Sequence, residues 1–182
     1  MGLKPERCAS VKCAVTRKPY RPGMHGKRRA PPPSELKLQL REKQIIKATY
    51  GLKEAVMRRV VRQAHGKLVD FLERRLDNVI YRLGFALSRS VARQLVNHGH
   101  FLVNGRRVTI PSYQVKKGDI ITIRPQSKDR QIFKELTINL KKIEAPEWLK
   151  RDDEKLESQV ISLPQEGTMP IDINLVIDYY SK

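Results

Sequence analysis

Several things are scarce in this sequence, and each scarcity narrows what the chain can be. There are two cysteines, Cys8 and Cys13, too few for the disulfide framework that holds small secreted domains together. No apolar run reaches the roughly 18 residues a membrane span needs, and the opening MGLKPERCAS lacks the apolar stretch of a signal peptide. Aromatic residues make up 6% of the chain and none fall in the paired arrangement used to stack splayed bases. Four histidines suggest no catalytic triad, and the 19 acidic residues are outnumbered by 37 lysines and arginines.

That last imbalance is the strongest positive signal. With 182 residues and 40% apolar content, the chain is long enough for a core, as one medium domain or two small ones. Its formal net charge of +18 and pI near 10.2 exceed what solubility requires. The implied partner is a polyanion, and nucleic acid in the cytosol fits better than a membrane surface. Residues 1–30 carry nine basic and one acidic side chain, residues 31–143 carry 24 and nine, and residues 144–182 carry four and nine. The tail is therefore the acidic part.

Residues 1–33, ending KRRAPPP, combine charge, proline and glycine with few periodic apolar positions, which predicts a basic extended arm that orders on its partner. From Ser34, SELKLQLREKQIIKATYG runs to Gly51 with Leu36, Leu40 and residues 47–50 on helical spacing. LKEAVMRRVVRQAHG predicts a second helix with Leu52, Val56, Val60 and Ala64 as its stripe. KLVDFLERRLDNVIYRLG predicts a third, with Leu68, Leu72, Leu76, Val79 and Leu83 on one face. Ser88 opens a fourth, SRSVARQLVNHG, with Gly99 at its left-handed exit.

Phe101–Val103 and 106–110 read as strands joined by Asn104-Gly105, the pair suited to a type I′ turn. YQVKKGDIITIR predicts two more short strands, SKDRQIFKELTINLKKI returns to helical spacing, and the tail offers Trp148 as a packing anchor, a strand SQVISL and a terminal helix INLVIDYY.

Arg89 and Arg93, four apart, share one face of the fourth helix, which leads directly to the tip Asn-Gly-Arg-Arg. One arginine pair alone would read as solvation. With a basic hairpin and the net charge behind it, the pattern reads as a phosphate clamp, with Asn104, His98 and His100 adding hydrogen bonds to bases or 2′-hydroxyls.

The run LERRLDNVIYRLGFALSRSVARQLVNHGHFLVNGRRVTIPSYQVKKGDIITIR resembles the RNA-binding module of the bacterial small-subunit ribosomal protein four family. The likeness extends through RPGMHGKRR, LQLREKQIIKATYG, PEWL and LVIDYYSK, nearly the whole chain. It implies an α+β fold: a mainly helical split domain, residues 34–72 plus 146–182, with an inserted small α/β RNA-binding module, residues 73–145, whose helices pack on a short twisted antiparallel sheet. It also implies a structural constituent of the small ribosomal subunit and not an enzyme. In the family, such a protein binds the 5′ domain of 16S rRNA at a multi-helix junction and nucleates assembly of the subunit body. It contacts protein five, influences translational accuracy and lies close to messenger RNA where that strand enters. No cofactor, membrane or small-molecule substrate is expected.

Carried over by motif, the RNA-binding candidates in the module are Ser88, Arg89, Arg93, Gln94, His98, His100, Asn104, Gly105, Arg106 and Lys116. In the arm and first helix they are Tyr20, Arg21, His25, Gly26, Lys27, Arg28, Arg29, Arg41 and Lys43. Folding the acidic tail onto the basic first helices would offset repulsion there.

The cysteines depart from the family pattern, in which many members hold zinc with two pairs. RCASVKC supplies one pair, and two thiols with His25 fall short of four ligands, so no metal is expected and the native start is expected upstream of Met1. Two rivals use the same module. Pseudouridine synthases need a catalytic domain for which no length remains and tyrosyl-tRNA synthetases a HIGH-type motif that the sequence lacks, and the Asp77 of RRLDNV reads as a partner of Arg74 or Arg82 or as a cap of local structure. A free RNA-binding factor would not need the split domain.

Overall fold

The structure, a computed structural model, describes residues 10–20, 22–27, 32–64, 66–128, 130, 132–133, 145–152, 155–164 and 171–181. In the arm, one helical turn, α1 (Ala14–Arg17), stands where extended chain was expected, and it buries no residue. Helix α2 (Glu35–Tyr50) ends at Gly51, whose φ of 61° is the left-handed conformation that a residue without Cβ adopts most easily. Helix α3 (Glu54–Ala64) buries Met57, Val60 and Ala64.

The third expected helix is two. Helix α4 (Leu68–Glu73) stops, Arg75 is extended, and α5 (Leu76–Arg82) sets off afresh. The break has a backbone cause. Leu76 N–H donates to the Tyr113 carbonyl at 2.9 Å and Asp77 N–H to Pro111 at 3.2 Å, while Val115 N–H donates to Arg74 at 2.9 Å. Loop 111–115 thus takes over the donors and acceptors of the interrupted turn.

Helix α6 (Arg89–Asn97) begins as expected, with the Ser88 hydroxyl accepting from Val91 N–H at 3.3 Å. Strands β1 (Phe101–Val103) and β2 (Arg106–Arg107) flank Asn104 and Gly105, both at positive φ (51° and 76°), as a type I′ turn requires. Strand β2 is shorter than expected. Of the next two expected strands, one is β3 (Ile120–Ile123) and the other reduces to a single bridge between Gln114 and Arg75. A short α7 (Pro125–Lys128) follows, and most of the helix expected to run on to residue 143 lies outside the described residues.

Strands β4 (Leu149–Asp152) and β5 (Glu157–Val160) complete an antiparallel sheet in the order β2-β1-β3-β5-β4, with Ile121 opposite Ser158. The last element is α8 (Ile173–Ser181).

The buried side chains fall into two clusters. One joins α5, α6 and the sheet around Leu76, Ile80, Phe85, Phe101, Ile121 and Phe133, and includes Trp148, Leu149 and Val160. The other joins α2, α3, α4 and α8 around Ile46, Met57, Leu72 and Val176. The tail from residue 146 therefore divides among its described residues: its hairpin enters the module's sheet, while Ile171 and α8 pack on the helical part. Unpaired hydrogen-bonding groups along the edge of β3 explain this, since β5 satisfies them.

Candidate nucleic-acid interface

Between the two apolar clusters lies a polar layer. Glu73, 1% exposed, is its centre. Its carboxylate accepts from the Tyr50 hydroxyl at 2.5 Å, twice from Arg82 at 2.9 and 3.0 Å, and from the Asn78 amide at 3.0 Å. Burial opposes its charge, yet Arg82, Tyr50 and Asn78 together hold the carboxyl below the usual glutamate range. Burial, then the Glu73 charge, pushes the Tyr50 phenol far up, so it remains a donor.

A second acid, Asp77, anchors the other half of the layer. It pairs with Arg75 at 2.8 Å and with Arg93 at 2.8 Å, not with Arg74 or Arg82 as expected. Arg74 instead reaches Asp70 at 3.8 Å and the Val115 carbonyl at 3.0 Å, and Arg82 belongs to Glu73. The one-residue break at Arg75 turns α5 about its axis relative to α4, which changes which acid faces which base.

Arg89 and Arg93 are therefore held in the layer. Arg93 donates to the Gly51 carbonyl at 2.7 Å and the Tyr50 carbonyl at 3.0 Å, capping the C-terminal carbonyls of α2 from another part of the chain. Arg89 donates to the Asn78 side-chain oxygen at 2.8 Å, and its guanidinium sits 4.4 Å from the Tyr81 ring centre and 5.1 Å from that of Tyr50. Burial lowers its pKa. Beside them opens a cavity of about 280 Å³ lined by Tyr50, Gly51, Ser88, Arg89, Ser90 and Arg93.

Two other candidates are interior. Lys43, 4% exposed, pairs with Glu54 at 3.3 Å and lies 4.1 Å from the Tyr179 ring centre. His100 is buried, with Nδ1 2.9 Å from the Ser127 hydroxyl and its ring edge-on to Phe133. Burial, reinforced by Arg130, His98, Arg107 and Arg124, lowers its pKa and favours the neutral ring. The Lys43 ammonium is thus committed to Glu54, and the Nδ1 side of the His100 ring to Ser127.

The remaining candidates are more open. Gln94, His98, Gly105, Arg106 and Lys116 are exposed around the hairpin end of the module, and Asn104 there holds the turn, donating to Asp119 at 2.9 Å and accepting from Ile120 N–H at 2.9 Å. Arg107 crosses back to the His98 carbonyl at 3.2 Å, close over Gly99. On the helical part Arg41 is exposed; in the arm Tyr20, His25 and Lys27 are exposed and Gly26 half-buried, with the Lys27 ammonium 5.4 Å from the Tyr20 ring centre. Arg21, Arg28 and Arg29 lie outside the described residues.

Sequence reading passed over Arg58, Arg59 and Arg62 on α3, all exposed opposite its buried stripe. Their signal was present: a doublet followed four residues on by a third arginine lies on one helix face. Arg59 also lines a groove of about 500 Å³ with Lys53, Val56, Phe71, Pro111 and Ser112, between α3 and the loop that interrupts α4 and α5.

Charge compensation by the tail takes an unexpected form. Lys43 and Lys47 pair with Glu54 of α3, while α8 contributes the rings of Tyr179 and Tyr180, and the Tyr180 hydroxyl donates to Glu54 at 2.8 Å. Among the described residues no three histidine, cysteine, aspartate or glutamate side chains are grouped to hold a metal ion, and Cys8 lies outside them.

A helical pair packed on a small antiparallel sheet with a basic hairpin at its end defines a class, and comparison with known families agrees: residues 74–121 match the S4 domain. Residues 2–79 match the Ribosomal protein S4/S9 N-terminal domain. Among curated relatives, the small ribosomal subunit protein uS4 of Caldicellulosiruptor bescii is 48% identical over 189 aligned positions, covering 99% of this chain and 90% of the relative. The proteins of the same name from Syntrophomonas wolfei and Thermus thermophilus are 45% and 43% identical with the same coverage. The chain belongs to the uS4 family of small ribosomal subunit proteins, a structural and non-enzymatic family.

Proposed function

We propose that this chain binds 16S rRNA within the small ribosomal subunit as a shape-reading clamp. It engages a multi-helix junction of the 5′ domain and nucleates assembly of the subunit body there. With protein five it influences accuracy, close to where messenger RNA enters.

One observation carries the reading: exposed cations stand on both bodies, on either side of an ion-paired seam. Arg106, Arg107, Lys116 and Lys117 lie on the module, and Arg41, Arg58, Arg59 and Arg62 on the helical part. RNA duplexes present backbones at fixed relative angles, and two cationic bodies match such angles without reading sequence. Ser88, Gln94, His98, Asn104 and Gly105 shape the module's face of the clamp, and Tyr20, Arg21, His25, Gly26, Lys27, Arg28 and Arg29 extend it along the arm.

The test is binding of the purified chain to the 5′ domain of its own 16S rRNA against an unrelated structured RNA of equal length, over a salt series. Preference for the 5′ domain that survives moderate salt is the expected result. Equal affinity with one steep salt slope would leave only a basic protein that adheres to any RNA.

A further inference from the structure

The two apolar clusters share no residue, and what joins them at Tyr50, Glu73, Asp77, Arg82, Arg89 and Arg93 is ionic and hydrogen-bonded. Apolar contact is non-directional and tolerates sliding, whereas a forked guanidinium on a carboxylate is satisfied at one orientation. Removing charges from water is costly, so a buried ionic layer is poor evidence of stability for its own sake. Four arginines (Arg75, Arg82, Arg89 and Arg93) face only two carboxylates, which is not the composition that would minimise this cost. Arg93 alone among them bonds a module acid and the end carbonyls of α2 at once.

We propose that Arg93, held by Asp77, is a positioning residue that sets the orientation of the helical part against the module and itself touches no phosphate. Through that angle it fixes the separation of the cations on the two bodies, and hence which RNA junction they match. The inference rests on the shape-reading function proposed above.

Two variants of the full chain separate positioning from contact. Asp77→Asn removes a negative charge, so direct electrostatics predicts tighter RNA binding, whereas positioning predicts weaker binding to the 5′ domain. Arg93→Lys keeps the cation a phosphate would need but loses the fork that joins Asp77 to two carbonyls. For both, positioning predicts a loss of about tenfold in affinity for the 5′ domain, the equivalent of roughly one good contact. Affinity for unrelated RNA and the salt slope stay unchanged.

Residual dipolar couplings supply the geometric readout. In the wild type, couplings from both bodies fit one alignment tensor; in the variants each body still fits its own structure but the two need separate tensors. A single tensor with undiminished preference in Arg93→Lys overturns the proposal. So does tighter binding of the 5′ domain by Asp77→Asn, the result that direct electrostatics predicts. Should the wild type itself show no preference for the 5′ domain, the shape-reading function fails, while the tensor comparison still judges the lock.

Discussion

Replacing Glu73 with glutamine tests the seam most severely, because it changes one atom in a side chain that is 1% exposed. The carboxylate accepts four hydrogen bonds, two of them from Arg82 and one each from Tyr50 and Asn78. An amide keeps one acceptor oxygen and turns an NH₂ group towards donors, so at least the two bonds at one oxygen are lost and Arg82 loses its counter-charge.

Breaking a buried pair in this way costs about 3–5 kcal/mol. The Arg82 side chain is 26% exposed, so water relieves part of the penalty and the low end, about 3 kcal/mol, applies. At roughly 2–4 °C per kcal/mol for a chain of this size, Tm should fall by about 6–12 °C.

The pH dependence gives an independent check. Glu73 has a folded pKa below its ordinary value of 4.5, so its contribution is complete above that pH and is lost as pH falls below it. The gap in Tm between wild type and variant should therefore narrow on acidification. Circular-dichroism melts at several pH values, closed into a double-mutant cycle with Tyr50→Phe, would measure both quantities. A variant melting within about 2 °C of wild type at neutral pH would refute the seam as an energetic unit.

Three further outcomes follow from the geometry. Glu54, held at about 2 by Lys47, with burial opposing and Tyr180 and Lys43 assisting, ties α8 to α2 and α3. Its depressed pKa means that this tie is complete above 4.5 and lost towards 2, so amide exchange at Val176 to Tyr180 should rise on acidification before that of the module's strands. Earlier loss in the strands would contradict it. Gly99→Ala places a methyl against the Arg107 guanidinium at a φ of 71°. Arg107 can swing away, leaving chiefly the left-handed cost of about 1–2 kcal/mol, and a denaturant midpoint unchanged from wild type would count against it. Arg106→Ala, exposed at the hairpin tip, should flatten the salt dependence of rRNA binding by about one unit of slope with no change in Tm; an unaltered slope would remove Arg106 from the interface.

The parts legible in the sequence were those set by local chemistry. Ser88 as a cap, Gly99 as an exit and Asn104-Gly105 as a hairpin turn each follow from the conformations those residues favour. The later apolar stripes located the cores, whereas Leu36 and Leu40 of α2 are exposed and that helix buries Gln39, Lys43, Ile46 and Tyr50 instead. The break at Arg75 was hidden because Leu68, Leu72, Leu76, Val79 and Leu83 keep helical spacing straight through it. Only the non-local bonds to Pro111 and Tyr113 reveal it. The same kind of concealment applies to Arg89, Arg93 and Lys43. Basic residue types marked a charged surface as a whole, but which cations stay free depends on acids and rings brought from 8 to well over 100 residues away. Exposed Arg58, Arg59 and Arg62 were overlooked for the opposite reason, since the motif drew attention to the module.

The divided tail also orders events in time. The sheet of the module is closed once β5 has been made, at Val160. The helical core has its first three helices much earlier but lacks Val176, which is fully buried on α8. During synthesis the inserted module can thus finish before the part that precedes it in the chain, while the side chains that will meet α8 stay open to solvent. Without α8 the sheet β2-β1-β3-β5-β4 would keep all its strands, while Ile46, Met57 and Leu72 of the helical core would lack the cover that Val176 gives them.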